Sequence, residues 1–260
     1  MKSGSYLGVY LFSILTFTSS SWAQTNTNST ALPPTVEIKN NNPTNPVIRT
    51  SSTNWLPRHE GFVAQAKKGG IDLLFHGDSI TDNWRTKGSN VWSKIYASRN
   101  AGNFGIGGDR LQHVLWRVQN GELDGLHPKA IVLLIGTNNS QNDSPTDIAT
   151  AIKLIIGEIK ARCAGTKVLL LAIFPRGPRT NSDKTPDDGI KRMQTIHEAN
   201  ELIAKLDDGQ MVKFMDINAK FLNADGKIPN DIMPDQLHPN EKGYQIWAEA
   251  IEPTLTEMLK

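Results

Sequence analysis

The stretch LLFHGDSITDNW, Leu73–Trp84, runs from four apolar or aromatic-rich positions into a Gly-Asp-Ser corner and then into residues that suit a helix. On local chemistry Gly77-Asp78-Ser79 is a turn, with Asp or Ser capping the helix that follows. What surrounds it decides whether Ser79 is more than a cap. Four further apolar runs follow: NAGNFG (Asn100–Gly105), KAIVLLIG (Lys129–Gly136), KVLLLAIFP (Lys167–Pro175) and MVKFMDI (Met211–Ile217). Segments of helical period separate them. SPTDIATAIKLIIGEIKARC opens with Ser144 as cap and Pro145 in the first turn, and it sets Ile148, Ile152, Ile155, Ile156 and Ile159 on one face. After Asn240, Tyr244, Trp247, Ala248, Ile251 and Leu255 form a second stripe. Continuous apolar strands alternating with helices, and no clear hairpin, predict a parallel sheet covered on both faces. Such sheets bind ligands beyond the carboxyl ends of their strands.

That topology gathers dispersed residues. Ser79 falls past the first strand, Gly105-Ile106-Gly107-Gly108 past the second and Gly136-Thr137-Asn138-Asn139 past the third. Asp235 and His238 stand in the loop MPDQLHPNEKGY before the last helix. A serine nucleophile needs a base, a group that orients the base and donors for an oxyanion. His238 suits the base and Asp235 the orienting acid. The backbone N–H groups of Ser79 and Gly108, with the side-chain amide of Asn138, suit the oxyanion hole. Each piece alone is ordinary loop chemistry, and the common rim is what gives them weight.

The blocks GDSITD, NFGIGGD, GTNN and DQLHP resemble, in order, the four blocks of the GDSL/SGNH hydrolase family. The longer run NFGIGGDRLQHVLWRVQNGELDGLHPKAIVLLIGTNN is similar to the catalytic subunits of intracellular platelet-activating-factor acetylhydrolase. The resemblance implies a flavodoxin-like three-layer α/β/α fold with a five-stranded parallel sheet. It implies Ser79 as nucleophile, Asp235 and His238 completing the triad, Gly108 and Asn138 as oxyanion donors, no cofactor and no metal. It also implies a homodimer. The third block departs from the commoner Gly-x-Asn-Asp by carrying Asn139, which leaves the hydrogen bonding of that residue open.

Rival readings fit less well. An α/β-hydrolase elbow needs glycine two residues after the serine, where Thr81 stands. A metal-dependent phosphoesterase would draw on Asp78, Asp82, Asp109, His76 and His238, but no closely spaced histidine pair is present. GIGGDR as a phosphate nest in a non-catalytic binding module lacks the last glycine of the nucleotide fingerprint and follows the second strand. His76 reads as a core histidine, and His113 and Trp116 as packing residues. Arg110 reads as the partner of Asp109 or another acid at the rim.

Composition bounds the rest. The 260 residues are 38% hydrophobic and carry a formal charge of +2, which suits a soluble domain and gives no basic footprint for nucleic acid. A single cysteine, Cys163, excludes an intrachain disulfide. Residues 1–23 read as a signal peptide: Lys2, an apolar run from Tyr6 to Phe17 too short to span a bilayer, then Ser21-Trp22-Ala23 as the cleavage site. Residues 24–53, rich in Asn, Thr, Ser and Pro, read as a flexible polar tether in which TVEI suits a short edge strand, and 54–260 as the catalytic domain. Export and a polar tether favour removal of short acyl groups, acetyl above all, from carbohydrate. A short-chain phospholipid acetylhydrolase, or a lipase or thioesterase, is the alternative.

Overall fold

The computed structural model describes residues 42–180 and 184–260. Five strands form one parallel sheet: β1 (Leu73–Gly77), β2 (Ala101–Gly105), β3 (Ala130–Leu134), β4 (Lys167–Leu171) and β5 (Val212–Met215). Their order is β2-β1-β3-β4-β5. The first strand is therefore interior, with Gly77 level with Gly105 on one side and Leu134 on the other. Each strand is shorter than its apolar run. Beyond β4, the side-chain amide of Asn200 takes over the pairing, accepting from Ile173 N at 2.8 Å and donating to its carbonyl at 3.0 Å.

Side chains alternate across the sheet, as the strand period of two requires. Leu74, Ile131, Leu133, Val168 and Leu170 face α1 (Trp55–Lys68), α4 (Leu111–Gln119), α5 (Pro145–Arg162) and α6 (Ile190–Ile203). Leu73, Phe75, Val132, Leu134, Leu169 and Leu171 face α2 (Ser79–Asp82), α3 (Ser89–Ile95) and α7 (Glu241–Met258). The expected three-layer α/β/α sandwich is thus observed, with both anticipated helical stripes buried. The Ser144 cap is as read, its Oγ accepting from Asp147 N at 3.1 Å; Asn240 also caps its helix, its Oδ1 accepting from Gly243 N at 3.1 Å. One feature was not anticipated, a two-residue antiparallel ribbon pairing Arg179–Thr180 with Pro186–Asp187.

Two contacts hold the site's framework. Tyr244 of α7 donates its hydroxyl to the Ile80 carbonyl at 2.6 Å, and its ring lies 4.4 Å from that of Trp84. The helix that follows His238 is thereby bound to the turn that carries Ser79. Glycine makes the second contact possible. A Cβ on Gly77 would stand 2.1 Å from the Leu134 carbonyl oxygen, and one on Gly105 2.3 Å from Asp82 N. Only bare backbone lets β1 run this close to the end of β3, and α2 sit this close to the end of β2.

The signal-peptide residues and TVEI lie outside the described residues. The end of the stretch read as a flexible tether is not free. Pro43 is buried, Val47 N donates to the Gln112 carbonyl at 3.1 Å and Ile48 packs on the core beside α4. Few apolar residues are available there, but backbone pairing and these two side chains are enough to seat it.

Candidate active site

Ser79 opens α2 directly beyond β1. Its Oγ lies 2.9 Å from His238 Nε2. His238 Nδ1 lies 2.6 Å from Asp235 Oδ2, and the other carboxylate oxygen accepts the backbone N–H of His238 at 2.8 Å and of Leu237 at 3.3 Å. Gln236 adopts φ 60°, which folds the Asp-x-x-His loop tightly enough for residues three apart to share one side. Burial works against the Asp235 charge, but the ring and backbone hydrogen bonds from His238 outweigh it and hold this carboxyl well below the usual carboxylate range. The carboxylate consequently stays charged and fixes which ring nitrogen of His238 bears hydrogen. A hydroxyl, an imidazole and a carboxylate form one continuous chain across 159 residues of sequence.

The glycine turn after β2 stands beside Ser79: a Cβ on Gly107 would be 3.9 Å from Ser79 Cβ. Gly108 has φ 78°, a left-handed conformation that a side chain would strain. Asn138, past β3, donates one amide hydrogen to the Asp109 carbonyl at 2.8 Å, so the second and third rim loops are tied together. Its second amide hydrogen remains. Among the described residues no partner engages the N–H of Ser79 or Gly108. Ser79, Gly108, Asn138 and His238 are each at least partly exposed, amid buried neighbours. Every residue expected at the rim is brought to this corner, and the arrangement is able to accept a proton from Ser79 and offer donors to an oxyanion.

A family model for the GDSL-like Lipase/Acylhydrolase family matches residues 75–246. The chain belongs to that family. It is therefore a carboxylic ester hydrolase. The alpha2 subunit of platelet-activating factor acetylhydrolase IB from Rattus norvegicus is 32% identical over 206 residues, 79% of this chain and 85% of that protein. Among solved structures, a GDSL-like lipase from Bacteroides thetaiotaomicron has TM-score 0.60 at 18% identity, covering 76% of this chain and 97% of that one. A carbohydrate acetylesterase family member from Sinorhizobium meliloti has TM-score 0.55 at 15% identity, covering 73% and 99%.

The remaining members of the GDSL block have structural work. Asp78 caps α2, accepting Ile80 N at 2.9 Å. It is fully buried, and burial with the nearby Asp109 charge pushes its carboxyl up to about 7 against the pull of Ile80 N–H, Arg176 and Arg117. Asp82 receives both ends of the Arg58 fork at 2.7 Å, takes Arg85 Nη1 at 2.6 Å and accepts Gly107 N at 3.1 Å. It braces the glycine turn against α1.

Behind that turn lies a buried polar cluster. Arg117 and Glu122 are fully buried. Glu122 bonds Arg117 Nη1 at 2.9 and 3.0 Å, His59 Nδ1 at 3.0 Å and His76 Nε2 at 3.0 Å. Burial raises the Glu122 carboxyl, yet Arg117 and the two histidines bring it down to about 2. Arg117 also reaches the Phe104 and Gly77 carbonyls at 2.9 and 3.2 Å, and its Nε lies 3.0 Å from Asp109 Oδ2, off the hydrogen-bond axis. Trp55 Nε1 donates to Asp109 Oδ1 at 2.7 Å. His76 is the core histidine expected. His113 accepts the Arg110 N–H at 3.0 Å as part of the cap of α4, and Trp116 packs on Trp55 and His59. Arg110 pairs with Asp143 at 2.9 Å rather than with Asp109, its immediate neighbour. Asn139, whose role the sequence left open, accepts Leu111 N at 2.9 Å and donates to Asp143 at 2.7 Å. The acids of the metal reading do not converge: among the described residues no group of three or more His, Cys, Asp or Glu is placed to hold a metal ion.

Sequence reading singled out neither Arg49, Arg58, Arg117 nor Glu122 for this corner. Arg117 and Glu122 stand inside a run that resembles the acetylhydrolase subunits; Arg117, a charge among the apolar residues of α4, was the available signal, whereas Glu122 lies in the turn after that helix. Arg49 stands in a polar stretch with no pattern to mark it.

Proposed function

We propose that this chain is an exported acylesterase that removes short acyl groups, acetyl first, by a serine mechanism. The observation that carries the mechanism is the unbroken relay Ser79–His238–Asp235, at 2.9 and 2.6 Å, beside Gly108 and Asn138. In the reaction, His238 Nε2 takes the Ser79 hydroxyl proton as Oγ bonds to the ester carbonyl carbon. The tetrahedral oxyanion rests on the N–H groups of Ser79 and Gly108 and the amide of Asn138. The intermediate collapses, the C–O bond to the alcohol breaks, and His238 returns the proton to the leaving oxygen. Water then attacks the acyl-enzyme by the same route and releases the acid. Asp235 keeps the imidazole oriented and offsets the charge it gains.

Acetyl selectivity is supported by the name of the relatives at 32% identity, which are acetylhydrolases. The carbohydrate leaving group is supported by the export signal read at residues 1–23 and the polar stretch after it. The second reading, an acetylated phospholipid, rests on those same relatives. A homodimer accompanies either reading. The test is hydrolysis of a p-nitrophenyl series from acetate to decanoate by wild type and Ser79→Ala, with acetylated xylan oligomers and an acetyl phospholipid in parallel. We expect acetate to be cleaved fastest, acetyl release from the oligomers and an inactive variant. Preference for long chains would overturn the acetyl reading, and activity surviving in Ser79→Ala would overturn the nucleophile.

A further inference from the structure

The segment ahead of α1 reaches the corner that holds Ser79. Val47 N and Ile48 seat it against α4, and the next residue, Arg49, turns inward. Its Nη1 donates to the Gly107 carbonyl at 2.7 Å and lies 3.5 Å from Asp109 Oδ1. The guanidinium lies across Gly108 so closely that a Cβ there would meet Nη2 at 2.8 Å and Nη1 at 3.1 Å. The Gly107 carbonyl and the Gly108 N–H belong to one planar peptide unit. Arg49 therefore grips the oxygen end of the very peptide whose nitrogen end faces the role of oxyanion donor.

We propose that Arg49 is a positioning residue for acyl transfer, holding the Gly107–Gly108 peptide so that its N–H stays committed to the oxyanion; this rests on the reading of Gly108 given above. Two physical effects combine. A peptide between two glycines has little steric resistance to flipping, and the charge-assisted hydrogen bond supplies it. A cation on the carbonyl oxygen also polarises the unit and strengthens its N–H as a donor. The neighbouring groups divide the task. Asp82 holds Gly107 N at 3.1 Å, Trp55 and Arg117 hold Asp109 from the core side, and Arg49 holds the carbonyl from the solvent side. Of these groups, Arg49 is the one that touches the Gly107–Gly108 carbonyl, and it belongs to a segment outside the matched family region.

The test uses the full chain with Arg49→Ala and Arg49→Lys, read by p-nitrophenyl acetate kinetics and by amide hydrogen exchange of the segment 105–112. Arg49→Ala should lower kcat by about 10- to 100-fold, the scale of a misplaced reacting group, with KM within about twofold. Exchange across 105–112 should quicken while the rest of the domain keeps its protection. Methylguanidinium should restore part of the rate to Arg49→Ala, which a merely structural loss would not allow. Arg49→Lys, which keeps the charge and loses the fork, should fall between. Undiminished kcat in Arg49→Ala, with Ser79→Ala inactive in the same assay, overturns the Arg49 assignment alone. Activity surviving in Ser79→Ala overturns the nucleophile reading instead, and exchange of 105–112 then decides whether Arg49 holds the turn at all.

Discussion

Replacing Asp78 by Asn should change the pH dependence of stability while keeping the shape of the turn. The side chain is fully buried beside Ser79, with Oδ1 on Ile80 N and no hydrogen-bond partner for Oδ2 among the described residues. Its carboxyl titrates near 7 in the fold against an ordinary 3.8, because burial penalises the charge. A group raised on folding lends its full stabilisation below the unfolded value and loses it as pH climbs through the folded one. At about 1.36 kcal/mol per tenfold change in proton affinity, wild type should lose about 2–3 kcal/mol relative to Asp78→Asn between about pH 5 and about pH 8. For a domain of this size that is a change of about 4–12 °C in the Tm gap between the two proteins. Thermal unfolding of both across that pH range is the assay. Asn keeps an oxygen for Ile80 and takes no charge, so the two curves should move apart, wild type falling, from the acid end to about pH 7 and run parallel above it. A Tm gap that stays constant across the range would refute the reasoning.

Asn138→Ala should lower kcat by about 10²–10³ with Tm nearly unchanged, the usual size for one lost oxyanion donor; a rate near wild type would remove Asn138 from the site. Glu122→Gln should cost about 3–5 kcal/mol at neutral pH, because it leaves Arg117 buried with a weakened partner; chemical denaturation measures it. Since the Glu122 carboxyl is lowered to about 2 from an ordinary 4.5, its contribution is present above about 4.5 and fades as pH falls toward about 2. The gap to Glu122→Gln should shrink over that acid range, and a gap that widens there would be the contrary result.

The layers of this molecule were legible because the signals are local and repeated. Apolar strands separated by stripes such as Ile148–Ile159 and Tyr244–Leu255 already specify a covered parallel sheet. The rim residues Ser79, Gly108, Asn138, Asp235 and His238 were legible for the same reason, since a parallel sheet places the ends of its strands at one edge. The strand ends were not. β4 stops where Asn200, on a distant helix, replaces its neighbour, and no pattern within Lys167–Pro175 records that.

By itself, then, the sequence determined the architecture and the identity of the side chains gathered at one edge, because period and order along the chain fix them. Tertiary structure alone decided how those side chains are held. Asp109, a residue of an unremarkable Gly-Gly-Asp turn, acquires Trp55, Arg49 and Arg117 as neighbours. Arg117 and Glu122 become a buried pair that supports the ends of β1 and β2. Arg49, from a stretch with the composition of a tether, ends on the Gly107 carbonyl. Such partners lie far apart along the chain, Ser79 and His238 by 159 residues and Ile80 and Tyr244 by 164. Proximity between them arises only when the sheet closes, and hydrogen bonds of a few ångströms depend on that proximity and on nothing that composition or periodicity carries.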